Sequence, residues 1–336
     1  LEVSAEATAA GLAALSAAHL PRLRAVDLPV LVGSAADLPA VSRAGWFRGL
    51  RAVALPGPAR EQHEPLHAAL ADLPHLDSLS LAFARWEPPP AGRALGSATG
   101  FPALTRLLCW APPDRLVARL ARARLPRLAR VKLGDLRDDA VALLPGARWL
   151  PQVRGLDLFL GWPTDRSVVG LTRSRAAPRL RALHLPGHGL TRPGLTALGD
   201  GGRFPELTTL DVRTGNASVR PATAERFAAT FSLPRVRHLY LGGWPLGDAG
   251  ATALARNPHL AGVTRLALPG CGIGDRGFGA LARSPYLRGL VELDLGNNTL
   301  KRAAPLLDPD LWPRLAAVGL SGNPLTPAAR ERLRQA

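Results

Sequence analysis

The feature that most constrains this chain is a short pattern, L-x-x-L-x-L or a close variant, that returns twelve times along 336 residues. It reads "LRAVDL" at Leu23, "LDSLSL" at Leu76, "LTRLLC" at Leu104, "VRGLDL" at Val153, "VRHLYL" at Val236 and "LVELDL" at Leu290, and successive copies start 24 to 29 residues apart. Within each copy apolar and polar positions alternate, which is the period of a half-buried strand. A glycine- or proline-marked turn and an apolar helical run follow most copies, as in "ATALARNP" after Gly250 and "GALARSP" starting at Gly279. One strand and one helix cannot bury their apolar faces alone, so each copy must stack on its neighbours. Stacking puts the strands side by side in a parallel sheet and the helices behind them.

A repeat of this length with this core resembles the leucine-rich repeat. The later copies, "VRHLYLGGWPLGDAGATALARNPHL" and "VTRLALPGCGIGDRGFGALARSPYL", resemble the ribonuclease-inhibitor type, with its L-x-x-L-x-L, then L/I-G-D-x-G, then A-L-A. The resemblance implies a right-handed α/β solenoid, or horseshoe, with the sheet on the concave face and helices on the convex face. It also implies a non-enzymatic habit of protein binding, and a buried amide ladder at Asn298 and Asn323. Cys271 falls in the same slot as those asparagines and Cys109 in a core leucine slot, so both cysteines read as packing residues. The pattern covers 1–336 as one repeat domain, about twelve full repeats and a truncated one at the N-terminus, where "LEV" resembles the end of a strand. It breaks at 83–100, where proline and glycine predict an irregular loop. With no methionine and Leu1 at its start, the chain is expected to have lost an upstream region. "PAARERLRQA" at the other end predicts a polar capping helix.

Composition narrows the function classes. Two distant cysteines exclude a disulfide framework. No apolar run approaches the ~20 residues of a membrane span, and a cytoplasmic location is expected. The net charge of +16 is almost all arginine, only Lys132 and Lys301 being lysine, which suggests a GC-rich bacterial genome. The charge is concentrated: residues 1–100 sum to −1, 101–200 to +10 and 201–336 to +7. Such a balance suits an acidic partner or nucleic acid, but it also suits solvated helix faces written in arginine.

Three motifs look like chemistry and are better explained by the repeat. "HEPLH" at 63–67 fits a zinc-protease helix, but Pro65 belongs near a helix start, which leaves His63 outside the helix. Gly272, Gly274 and Gly277 fit G-x-G-x-x-G with Glu292 and Asp294 downstream. Yet Gly274 and Gly277 recur as Gly247 and Gly250 in the preceding copy, so they belong to the turn into the helix. The basic run 115–132 reads as a convex helix with Leu116, Leu120 and Leu125 inward and Arg115, Arg119 and Arg122 outward.

Function is sought where residue choice is freest, on the outward strand positions. With the first Leu or Val of each copy as position one, these are the third, fifth and seventh. The third row holds Arg106, Arg130, His238 and Arg265; the fifth holds Lys132, Asp157, His184, Asp211 and Tyr240; the seventh holds Trp110, Phe159 and Arg213. Turn residues His188 and Trp244 are expected to join them. Aromatics and arginines with a few opposite charges are the composition of binding hot spots. The expected function is recognition of a protein partner, with no cofactor or metal. A second possibility is nucleic-acid binding through Arg106, Arg130, Lys132 and the 115–127 helix. A third is a metal or acid–base site at Asp157, His184 and Asp211; as a polar ladder, the same row would make binding pH-sensitive. By resemblance alone, the module fits a sensor or targeting arm of a larger bacterial defence or effector protein.

Overall fold

The alternation in each copy is realised as a strand. In the computed structural model, which describes residues 2–4, 17–27, 38–58, 64–83, 100–214 and 219–335, each copy contributes a strand to a parallel ladder. The chain divides into two compact units, Leu1–Phe159 with Ser174–Ala176, and Leu160–Arg173 with Ala177–Ala336. Each is a leucine-rich-repeat α/β solenoid.

The first unit carries β1 (Glu2–Ser4), β2 (Ala25–Asp27), β3 (Ala52–Pro58), β4 (Ser78–Ala82), β5 (Arg106–Trp110), β6 (Arg130–Gly134) and β7 (Gly155–Phe159), paired in chain order and all parallel. Its helices are α1 (Leu38–Arg43), α2 (Glu64–Ala71), α3 (Asp114–Arg122) and the single turn α4 (Asp138–Val141). β1 pairs with β2 at Glu2 opposite Ala25, so the "LEV" segment supplies a further strand. α2 starts at Glu64 with Pro65 in its first turn, where a missing N–H does no harm; His63 lies outside the described residues, as do all but the end residues, Phe83 and Gly100, of the loop expected at 83–100. In α3, Leu116, Val117 and Leu120 are buried and Arg115, Arg119 and Arg122 are exposed, a core helix with a solvated arginine face.

The second unit carries β8 (Ala182–His184), β9 (Thr209–Asp211), β10 (His238–Tyr240), β11 (Arg265–Ala267), β12 (Glu292–Asp294) and β13 (Ala317–Gly319), again parallel and in chain order. Its helices are α5 (Asp165–Thr172), α6 (Arg192–Leu198), α7 (Pro221–Thr230), α8 (Gly247–Arg256), α9 (Asp275–Ala282) and the polar α10 (Pro327–Gln335). Among the described residues no helix is long and apolar enough to cross a membrane.

Side-chain hydrogen bonds stitch neighbouring repeats of the second unit together. The first is the amide ladder at position nine. Asn298 Oδ1 accepts from the backbone N–H groups of Cys271 and Ile273, both at 3.0 Å, and its Nδ2 donates to Leu268 O at 2.8 Å. Asn323 repeats the pattern, accepting from Leu300 N at 3.0 Å and donating to Leu295 O at 2.7 Å. Cys271 makes the weaker version, its thiol 3.3 Å from Leu241 O. Burial pushes the thiols of Cys109 and Cys271 up to about 12, so both stay neutral packing groups. The second device is an aspartate in the first turn of one helix that caps the next. Asp248 Oδ1 accepts from Gly274 N at 2.7 Å and Gly277 N at 2.8 Å, and Asp165 likewise accepts from Thr191 N and Gly194 N, both at 2.9 Å. A Cβ on Gly277 would stand 2.7 Å from Asp248 Oδ1. The glycines of the apparent dinucleotide motif are therefore spaced for a carboxylate of the preceding repeat.

Candidate functional site

In the first unit, β5, β6 and β7 place the outward rows in register. Arg106 stands opposite Arg130, Leu108 opposite Lys132 and then Asp157, and Trp110 opposite Gly134 and then Phe159. Strands about 4.8 Å apart bring such side chains into contact. Gly134 decides the packing. Phe159 lies across it, and a Cβ there would stand 2.3 Å from the ring. With the glycine, Phe159 reaches Trp110, the two ring centroids 5.0 Å apart and tilted by 48°. Lys132 Nζ sits 4.5 Å from the Phe159 centroid and 3.3 Å from Asp157 Oδ2. Arg106 pairs with Asp77 at 3.0 Å, and Arg130 is exposed beside it. Trp110 remains 38 % exposed, a large apolar surface left open to water.

In the second unit the centre is Asp211, which is only 2 % exposed. Arg213 grips it with both arms, Nε to Oδ1 at 2.9 Å and Nη2 to Oδ2 at 2.7 Å, and His184 Nδ1 stands 3.5 Å from Oδ2. Burial pushes the Asp211 carboxyl up, but the hydrogen bonds from His184 and Arg213 together with Arg213's charge outweigh it and hold it down at about 2. Asp211 is thus a fixed anion that orients its partners. The guanidinium it holds lies 5.6 Å from the Tyr240 ring centroid. Beside this group, Thr209 Oγ1 is 3.3 Å from His238 Nδ1, and Arg265 pairs with Glu292 at 2.8 Å. Burial, then the charge of Arg265, lower the His238 pKa, with Glu292 acting in the opposite direction.

Asp157 and His184 belong to different units; Asp157 pairs with Lys132 in the first, and His184 stands beside Asp211 in the second. Among the described residues no three His, Cys, Asp or Glu side chains gather as a metal-binding group.

Two expected surface residues lie inside the protein. Trp244 is 0 % exposed, its Nε1 donating to Val212 O at 2.6 Å, and His188 is 0 % exposed with Nε2 2.9 Å from the same carbonyl. Both occupy position nine, the slot of Asn298 and Asn323. Trp244, like the asparagines, donates to a carbonyl of the preceding copy, whereas His188 reaches a carbonyl of the following one; both rings are spent inside, and Trp244 presents nothing to a partner. Counting each copy to position nine would have placed both correctly.

Glu292, Asp294 and Val318, which were not among the expected partner-binding residues, line a shallow groove of about 380 Å³ at the last strands of the second unit, together with Tyr240 and Arg265, which were. Ala267, Ala317 and Gly319 stand on the same strands and are too small to fill it. The signal was available as outward Ala and Gly beside outward Glu and Asp.

No protein-family model and no curated protein sequence matches the chain. Among solved structures, an internalin (inlF) from Listeria monocytogenes is similar with a TM-score of 0.51 at 15 % sequence identity, over 88 % of this chain and 78 % of that one. A likeness at that identity speaks to the fold, which is the leucine-rich-repeat solenoid.

Proposed function

We propose that the chain is a non-enzymatic recognition module that binds a protein partner through the outward faces of its strands. The repeat length and the G-D-x-G helix caps favour the ribonuclease-inhibitor-like subtype. The observation that carries the reading is the Trp110–Phe159 pair under Lys132, an exposed aromatic platform that the core does not need. Tyr240 beneath Arg213 offers the same combination in the second unit. Rigid aromatics with anchored cations are the residues that dominate protein interfaces.

The charges on these faces favour a protein over a nucleic-acid backbone. Arg106, Lys132, Arg213 and Arg265 each have a carboxylate within 3.3 Å. A surface built to neutralise phosphates leaves its cations free to release counterions. Mixed, matched charges instead set the register of a protein interface.

The test is crosslinked affinity capture with wild type and with a Trp110→Ala/Tyr240→Ala variant, followed by titration of the captured partner. Both side chains point away from the core, so the variant should fold normally by circular dichroism. Loss of two hot-spot aromatics should weaken binding by roughly thirtyfold or more. Recovery of the same partners with unchanged affinity would show that these faces do not bind them. Capture of nucleic acid alone, released by salt, would favour the other reading.

A further inference from the structure

The back of the second unit has an opening where neighbouring helices elsewhere pack closely. α8 packs along α7 and α9, and α5 along α6, but α6 and α7 scarcely meet. Between them lies a cleft of about 650 Å³. Its lower end is closed by the backbone. Ser232 N donates to Gly199 O at 2.8 Å, Gly201 N donates to Ser232 Oγ at 3.2 Å, and a Cβ on Gly201 would stand 1.8 Å from Ser232 O. Gly201 therefore lets the chain pass tightly at the base while the helices above stay apart.

The lining is unlike that of a cleft left over by imperfect packing. Arg173, Arg192, Arg203 and Arg226 all face it, against one carboxylate, Asp200, which stands 3.5 Å from Arg203. The other three arginines have no ion-pair partner among the described residues. Arg192 and Arg226 come from successive helices and Arg173 directly follows the end of α5 before them, so the repeat stacking itself brings the like charges to one opening. Like charges sharing a cleft repel, and an anion between them relieves the repulsion. Thr196 and Thr223 add hydroxyl groups to the walls, and Leu195 and Phe227 contribute to an apolar floor. Planar guanidinium groups with hydroxyls suit phosphate oxygens. The volume lies in the range of small-molecule sites and is large for inorganic phosphate alone.

We propose that this cleft is a binding site for a small organic phosphate, of nucleotide or sugar-phosphate size, on the face opposite the strands. The phosphate is held by Arg192 and Arg226 across the cleft mouth, with Arg173 and Arg203 beside them. The remainder of the ligand occupies the space between α6 and α7.

Calorimetric titration of the full chain at low salt tests it, with adenosine monophosphate and glucose 6-phosphate as probes and adenosine and inorganic phosphate as comparisons. At least one of the two organic phosphates should bind saturably, and adenosine should not. Arg192→Ser/Arg226→Ser should weaken that binding by roughly tenfold or more, the loss of two charge-assisted contacts. Arg119→Ser/Arg122→Ser removes the same charge from the exposed face of α3 and should change it less than about twofold. All four positions are exposed, so both variants should keep the wild-type melting profile. An equal loss in both double variants would mean general attraction to a basic protein and would overturn the site. So would the absence of saturable binding by either organic phosphate. Inorganic phosphate binding as tightly as the organic probes would overturn the assignment to an organic phosphate. None of these outcomes touches the strand faces, so this site and the protein-binding face stand or fall separately.

Discussion

The copies around β5 to β7 and those around β10 to β12 solve the same turn in different ways. In the later set, position eight is Gly243, Gly270 and Asn297, with φ of 77°, 65° and 54°. Glycine adopts this left-handed conformation freely, and asparagine tolerates it. In the middle set the same position is Ala111, Asp135 and Leu160, with φ of 46°, 59° and 51°. Position nine differs in parallel. The later set has Trp244, Cys271 and Asn298, each hydrogen-bonded to a carbonyl of the preceding repeat. The middle set has Pro112, Leu136 and Gly161, whose side chains have nothing to donate. The outward rows are polar in both sets, His238, Tyr240, Arg265, Glu292 and Asp294 standing outward in the later one. The middle set exposes Trp110 and Lys132 and half-buries Phe159, while β11 and β13 put Ala267, Ala317 and Gly319 outward. At position nine the later copies place polar groups inside, where they join repeats, whereas the middle copies place none there.

The largest test of this contrast exchanges one solution for the other. Asn298→Leu copies Leu136 into the ladder at similar volume. It leaves the buried N–H groups of Cys271 and Ile273 without their acceptor, and each such group costs about 2 kcal/mol. Urea unfolding of the full chain should therefore show a loss of about 4 kcal/mol in the second unit. A loss below about 1 kcal/mol would mean that the ladder does not hold these repeats together.

The next test uses acid. Burial lowers the pKa of His188 from 6.5 to about 4, against smaller opposing contributions from its bond to Val212 O and from Asp165 and Asp211. The unfolded chain takes up a proton near pH 6.5 and the folded one resists until about 4. His188 therefore favours folding fully above pH 6.5, and that contribution is lost as pH falls from 6.5 towards 4, by about 3 kcal/mol at most. His188→Gln should flatten this part of the stability profile, leaving a smaller slope from His238, whose pKa is shifted in the same direction. Asp211 acts in a lower window, between 3.8 and about 2, where protonation loosens its hold on Arg213. An unchanged profile between pH 6.5 and 4 in the variant would show that the ring titrates in the unfolded range.

Strand positions, their register and their outward residues were legible because a period of two leaves little freedom once leucines fill the inward sites. Asn298 and Asn323 were legible because an asparagine at a fixed place in a repeat has a structural use. Trp244 and His188 were misjudged because aromatic and imidazole rings near a turn resemble contact residues. Their role depends on how far a ring nitrogen reaches across one repeat, and residue type does not carry that distance. The Trp110–Phe159 contact was half legible: both rings were read as outward, but their meeting depends on Gly134 having no side chain. The arginine cleft was not legible. Its trace is the 29-residue spacing between the cores at Leu207 and Val236, and spacing alone does not say whether two helices meet.

The smallest effect concerns Leu160. It is held at φ 51° and is 59 % exposed, as is Trp162 two residues on. A leucine in the left-handed region costs about 1 to 2 kcal/mol, and a glycine loses about 0.5 to 1 kcal/mol in chain entropy. Leu160→Gly should therefore stabilise the protein by about 0.5 kcal/mol, while Gly270→Ala, forcing a side chain into the same conformation in a later copy, should destabilise it by about 1 kcal/mol. An exposed leucine contributes little to the core, so packing does not account for the strain. Partner titration with Leu160→Gly then separates two possibilities. Weaker binding by a more stable variant would place Leu160 in the interface beside Trp162. Unchanged binding would confine the recognition face to the strands and leave the strain at Leu160 as a tolerated defect of its copy.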